Sequence, residues 1–225
     1  MDENPTAASF FYHSALASVP QLQQKPLMSS PIPLHNPFHS ITPGKKPPFH
    51  LHAYIECPMR SKTKYEIDKS TGILRVDRIL HSSVHYPHNY GFIPQTYCSD
   101  MDPLDIIVIG QEPFVPGCVV AAKPIGGLLM YDQGLEDFKV IAVHENDPLF
   151  APYNDVSQLS QHILTEMKHF FSTYKELEPG KSRPALGDFL SAAETMDVVR
   201  QAISDYIHHR EQLLQGFFPS LTNQP

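Results

Sequence analysis

The chain of 225 residues has no tryptophan, only three cysteines and no apolar run near the roughly 18 residues that a membrane-spanning helix needs. A membrane partner is therefore not expected, and the protein should be soluble. Cys57, Cys98 and Cys118 are odd in number and not closely paired, which excludes a disulfide framework and a zinc or redox cysteine motif and points to reduced thiols. Basic residues are also scarce. Seventeen Lys and Arg stand against 24 Asp and Glu, a formal charge of -7, so no basic groove is present for a nucleic-acid backbone. The chain has no G-x-x-x-x-G-K-[ST] loop, no G-x-G-x-x-G after a strand and no G-x-S-x-G elbow, so nucleotide-binding folds and a serine nucleophile lack candidates. The absence of tryptophan itself excludes no chemistry.

What is there suits one globular domain: 41% hydrophobic residues in 225 can bury a single sizeable core. Nine of the 22 prolines fall in the first 48 residues, among Ser, Gln and His without periodicity, which reads as an extended arm. Ala15-Leu16-Ala17 resembles a small-residue cleavage site. However, the start carries Asp2 and Glu3, and the first arginine is Arg60, so a cytoplasmic location is expected and organelle import through the arm is the alternative.

From about Tyr54 short apolar runs alternate with turn residues, which is strand behaviour. Residues 64–68 and 73–78 alternate in polarity around Ser70-Thr71-Gly72 and predict a hairpin. Further strands are predicted over 106–109, 118–122, 127–131 and 139–143, with turns at Pro116-Gly117 and over 132–137. After Pro152 the period becomes helical. Ile163, Leu164, Met167, Phe170, Phe171, Tyr174 and Leu177 share one face of a helix predicted to end near Pro179-Gly180. A second helix is predicted from Ser191, which has capping-box spacing to Glu194, and Phe217–Pro225 reads as a tail.

The densest polar cluster is Asp100-Met101-Asp102-Pro103-Leu104-Asp105, three carboxylates just before an apolar strand. Carboxylates this close repel one another, and a hard dication such as Mg²⁺ turns the repulsion into attraction. By itself the cluster is equally consistent with a solvated acidic loop. Asp132, Glu136, Asp137 and Lys139 form a second set, which alone would pass for a turn, and Glu56, Lys64, Glu66 and Arg78 form a third around the hairpin. The segment Tyr86-Pro87-His88-Asn89-Tyr90-Gly91 reads as a tight turn whose tyrosine hydroxyls can donate to phosphate oxygens. Its two neighbouring histidines, His85 and His88, lack the matching pair that zinc requires.

In order and spacing, Tyr65-Glu66-Ile67-Asp68-Lys69, Val76-Asp77-Arg78, the Tyr86–Gly91 segment, Asp100-x-Asp102-Pro103-x-Asp105, and the later Asp132, Asp137 and Lys139 resemble the family I soluble inorganic pyrophosphatases, especially their plant and bacterial members. The resemblance implies an extension over residues 1–34, a domain over 35–214 opening at His35-Asn36-Pro37-Phe38-His39, and a tail over 215–225. It further implies a mainly β protein with flanking helices: an OB-like closed β-barrel with two amphipathic α-helices packed outside. The implied activity is Mg²⁺-dependent hydrolysis of pyrophosphate to two orthophosphates, by in-line attack of a metal-bound water or hydroxide without a covalent intermediate.

By position, the resemblance makes Asp100, Asp105, Asp132 and Asp137 metal ligands, with Glu56 and Glu66 as outer and supporting carboxylates. Asp102 matches the general base. Lys64, Arg78, Tyr90, Lys139, Tyr174 and Lys175 match the groups that hold the phosphoryl halves, and Tyr86 the same cleft. Met101 departs from the small or polar residue usual in the family, and Phe138 stands beside a ligand. A homo-oligomer is expected by analogy. A non-catalytic scaffold on the same barrel is disfavoured because an idle site has no physical need for crowded carboxylates, and a single-strand nucleic-acid binder is disfavoured by the net charge.

Overall fold

The structure is a computed structural model that describes residues 36–217, so the extension expected over 1–34 and most of the expected tail lie outside the described residues. The elements are α1 (Pro37–Ser40), β1 (Leu51–Cys57), β2 (Thr63–Ile67), β3 (Leu74–Ile79), β4 (Asn89–Phe92), β5 (Asp105–Ile109), β6 (Val119–Asp132), β7 (Leu135–Glu136), β8 (Lys139–His144), α2 (Gln161–Thr173), β9 (Ala185–Ser191) and α3 (Ala192–Phe217). The protein is mainly β with few helices. Among the described residues no helix is long and apolar enough to cross a membrane.

The main sheet runs β1-β4-β5-β8-β6-β7, with β9 on β6, and β1 also pairs with β6. The pairings thus lead from β1 through β4, β5, β8 and β6 back to β1. Strands β5 and β8 are parallel, at the register Asp105↔Lys139, and both faces of this pair are covered. Ile107, Ile109, Ile141 and Val143 join Met167, Phe170 and Phe171 of α2 in one cluster. Ile106, Val108, Val140 and Ala142 join Val199 and Ala202 of α3 in another. This explains why both strands read as unbroken apolar runs. Each such Ile or Val contributes roughly 1.5–3 kcal/mol on burial, which is what holds the two starting residues, Asp105 and Lys139, in place.

The β2–β3 hairpin is as expected and forms its own two-stranded sheet, with Lys64 opposite Arg78. Several other expectations are corrected. The strands predicted over 118–122 and 127–131 are one 14-residue strand, β6, whose register shifts between Pro124 and Gly126. Pro124 cannot donate to a ladder, and the irregularity accommodates it. The Tyr86–Gly91 segment is only partly a turn, because Asn89 opens β4, where Gly91 runs so close to β1 that a Cβ would sit 1.8 Å from the Tyr54 carbonyl oxygen. The turn predicted over 132–137 is shorter: Gln133 and Gly134 both have positive φ, the two-residue hairpin geometry that joins β6 to β7.

Helix α2 stops at Thr173 rather than near Pro179-Gly180, and Leu177 is exposed rather than on the buried face. The chain leaves the helix because Lys175 is drawn to Asp132 and Glu178 to Arg78. Strand β9 was not predicted. The start of α3 is as expected: the Ser191 N–H donates to Glu194 Oε2 at 2.8 Å, and the Glu194 N–H returns to Ser191 Oγ at 3.4 Å. The aperiodic, proline-rich reading of the first 48 residues is also revised from Asn36 onward. Asn36 caps α1, and its side-chain amide donates to the Lys69 carbonyl at 3.2 Å, while Pro37 and Pro48 are buried.

Candidate active site

A cavity of about 460 Å³ opens where the hairpin, the loop before β5, the β6–β7 turn and the segment after α2 meet. Twelve of the residues singled out from the sequence line it: Glu56, Lys64, Glu66, Tyr90, Asp100, Asp102, Asp105, Asp132, Asp137, Lys139, Tyr174 and Lys175. Arg78 and Tyr86 do not. Tyr86 is buried behind Tyr90, its ring 5.5 Å from that ring and 4.9 Å from Phe170. Arg78 turns to Glu178 and Asp77.

Lys139 is the centre of the cavity floor. Its side chain is only 2% exposed, and its ammonium touches the carboxylates of Asp105 and Asp137 and lies 3.3 Å from Tyr90 Oη, which donates to Asp105 Oδ2 at 2.5 Å. Burial works against the Lys139 ammonium, but the two carboxylates outweigh it and hold the pKa above the ordinary lysine range. Lys175 pairs with Asp132, Lys64 with Glu66, and Lys64 lies 3.6 Å from Asp77. Burial, with Arg78 beside it, pulls the Lys64 pKa down.

On the acidic side, burial and the nearby Asp102, Asp105 and Asp137 push Asp100 up to about 6, against a backbone hydrogen bond from Asp102. Burial likewise raises Asp137, opposed by Lys139. Glu56 is pushed up to about 8, by burial first and then by repulsion from Asp105, although it accepts the Ile67 N–H at 2.9 Å.

The raised Glu56 value has a stability consequence of definite sign. A carboxyl whose folded pKa exceeds its unfolded one stabilises the fold while protonated, and that contribution fades as pH rises from the unfolded value toward about 8. Glu56→Gln keeps the acceptor for Ile67 and removes the charge. Without divalent cations it should melt above wild type at pH 8, with the difference closing by about pH 4.5. Equal melting temperatures at pH 8 would contradict this burial account.

The loop before β5 is shaped by its own backbone. The Cys98 N–H donates to Asp102 O at 2.9 Å, the Asp102 N–H to Asp100 Oδ1 at 3.1 Å, and Met101 takes φ 66° with its side chain exposed. Glycine, and less often Asn or Asp, adopts that left-handed conformation readily, so Met101 stands in a backbone conformation that its side chain disfavours. Phe138 turns away from the cavity into the α3-facing cluster, its ring over Gly127, and so leaves the site's lining untouched.

Three contributors have no role in the sequence reading. Lys69 lies within the Tyr65–Lys69 segment, where order and spacing give it no role, yet its ammonium pairs with Asp102 and donates to the Met101 carbonyl at 3.1 Å. Glu178 carried no sequence signal, being one acid after a helix. Phe38 also lines the cavity, its ring tilted against that of Phe92 with centroids 4.5 Å apart, a contact that no periodicity announces.

Seven carboxylates face four lysines around the cavity, a formal surplus of three negative charges when all are ionised. Among the described residues, no three His, Cys, Asp or Glu side chains are gathered closely enough to hold a metal ion as they stand. The lysines occupy the carboxylate oxygens instead. The donor set nevertheless suits a hard dication: it is all oxygen, and buried Asp132 Oδ1 has no hydrogen-bond partner while Oδ2 takes Lys175. A β-rich frame thus lines one cavity with crowded carboxylates and amines, a donor set chemically suited to hard divalent cations.

Comparison with known proteins gives the family. The model of the inorganic pyrophosphatase family matches residues 53–207. Soluble inorganic pyrophosphatase 2 of Chlamydomonas reinhardtii is 49% identical over 174 residues, covering 77% of this chain and 90% of that protein. Soluble inorganic pyrophosphatase 4 of Arabidopsis thaliana is 45% identical over 191 residues, covering 84% and 88%. The crystal structure of the Thermus thermophilus inorganic pyrophosphatase superposes with a TM-score of 0.73 at 36% identity, covering 76% of this chain and 99% of that one. The chain belongs to the family I inorganic pyrophosphatases.

Proposed function

We propose that this chain is an inorganic diphosphatase that hydrolyses pyrophosphate to two orthophosphates, with Mg²⁺ as cofactor, by in-line attack of water and without a covalent intermediate. The observation that carries this reading is the charge of the cavity: seven carboxylates against four lysines repel a polyanion unless divalent cations enter with it. Asp100, Asp105, Asp132 and Asp137 would hold these cations, with Glu56 and Glu66 supporting. Magnesium bound there supplies charge neutralisation and acidifies a water molecule.

The chain's own residues do the rest. Asp102, half-exposed at the cavity mouth, takes the proton from the attacking water. Lys64, Lys139, Lys175, Tyr90 and Tyr174 orient the two phosphoryl groups and stabilise charge on the leaving one, with Arg78 joining them from the hairpin and Tyr86 backing Tyr90. Among the described residues, the lining has no Ser, Thr, Cys or His, which supports direct attack by water. The circuit of strand pairings from β1 back to β1 supports an OB-like closed barrel with α2 and α3 outside. This reading includes a catalytic domain over residues 35–214 with an extension before it and a tail after it, a cytoplasmic location and a homo-oligomer.

Purified protein with Mg²⁺ should release orthophosphate from pyrophosphate, and chelation should stop the release. Calcium should inhibit, because its larger and looser oxygen shell places water differently. A folded wild-type protein no more active than a buffer blank would discard the enzyme; full turnover with calcium would discard the account of the metal.

A further inference from the structure

Arg78 and Glu178 join two walls of the cavity that are a hundred residues apart in sequence. Arg78 Nε donates to Glu178 Oε1 at 2.7 Å, and its Nη1 touches the Asp77 carboxylate, so the guanidinium is fixed at two corners. The Glu178 side chain is 6% exposed, unlike the partners of an ordinary surface pair, whose contribution is small. Its backbone belongs to the turn that carries Tyr174 and Lys175: the Glu178 N–H donates to the Lys175 carbonyl at 3.0 Å. A second link crosses the same seam, from the His81 imidazole to the Leu177 carbonyl at 3.3 Å. On the hairpin side, Arg78 stands opposite Lys64 in the strand register. Arg78 and Lys64 thus belong to one wall, and Tyr174 and Lys175 to the other.

We infer that Glu178 is a positioning residue: it orients the Arg78 guanidinium and clasps the β2–β3 hairpin to the Tyr174–Lys175 turn, so that cations from both walls reach one bound pyrophosphate. The inference rests on the reading of Arg78 as a phosphoryl-holding group. Glu178 touches no substrate itself. Its carboxylate instead fixes the geometry in which the guanidinium is presented, and a planar fork needs that fixing more than a point charge does.

The test is pyrophosphate hydrolysis with Mg²⁺ by wild type, Glu178→Ala, Glu178→Gln, Arg78→Ala and the double alanine variant. Glu178→Ala should raise KM roughly tenfold and lower kcat less than about threefold, whereas Glu178→Gln, whose amide oxygen still accepts from Nε, should stay within about threefold of wild-type KM. In the Arg78→Ala background, removing Glu178 should have little further effect, because the two act as one unit. Wild-type KM in Glu178→Ala, or the same proportional loss with and without Arg78, would overturn the inference. If the alanine variant fails to fold, Glu178→Asp, one methylene shorter, replaces it, and unchanged KM there would also overturn it. A wild type that releases no phosphate removes the functional reading itself, whereas an active wild type with an indifferent Glu178 removes only the clasp.

Discussion

Asp102→Asn is expected to lower kcat by about 10²- to 10⁴-fold while KM stays within about threefold of wild type. The carboxylate is 51% exposed at the cavity mouth, and its side chain packs in no core cluster. Its side-chain partner is Lys69, and its main chain is held by Asp100 and Cys98. An amide of the same shape leaves those main-chain bonds intact, so the fold and the affinity for substrate should survive. What disappears is a group able to accept a proton. Full activity in the variant would remove Asp102 from the mechanism, and a rise in KM matching the fall in kcat/KM would make it a binding residue instead.

The largest loss of stability is expected from Lys139→Met. The ammonium is the counter-charge that keeps Asp105 and Asp137 tolerable beside each other at the buried starts of β5 and β8. Methionine fills nearly the same volume but leaves the two carboxylates facing each other without the ammonium between them. Breaking a buried pair in this way costs about 3–5 kcal/mol. Denaturant unfolding at neutral pH without divalent cations should show that loss, with the slope unchanged. Mg²⁺ should then raise the melting temperature of the variant more than that of wild type, because a bound dication restores the missing charge. Unfolding midpoints equal to wild type would mean that the carboxylates are relieved by some other group.

The hairpin, the two helices and the apolar strands β5 and β8 were legible because each signal is local: polarity that alternates around a Ser-Thr-Gly turn, a 3.6-residue stripe, a Ser–Glu capping box, an unbroken apolar run. The acidic motif before β5 was legible for the same reason. Less legible was anything that depends on a distant partner. β9 is held by pairing to β6, α2 ends early because Lys175 and Glu178 are claimed by Asp132 and Arg78, and β6 bends through two regions that look like separate strands. The arm reading failed from Asn36 onward because its contacts lie with Lys69 and Phe92, more than thirty residues downstream.

By itself the amino-acid order determined the residue types and their sequence of appearance: which carboxylates precede a strand, which amines follow, and a family resemblance that depends on order alone. The tertiary structure decided which of them share a cavity. Parallel pairing of β5 with β8 sets Asp105 beside Lys139, and the two-residue turn after β6 returns Asp137 to them. The tertiary structure also decided the partners of Arg78, bonded to Glu178 a hundred residues away, and of Tyr86, packed beneath Tyr90. The physical reason is range: periodicity and capping act over a few residues, whereas charge pairing and close packing act between whichever groups the fold brings together.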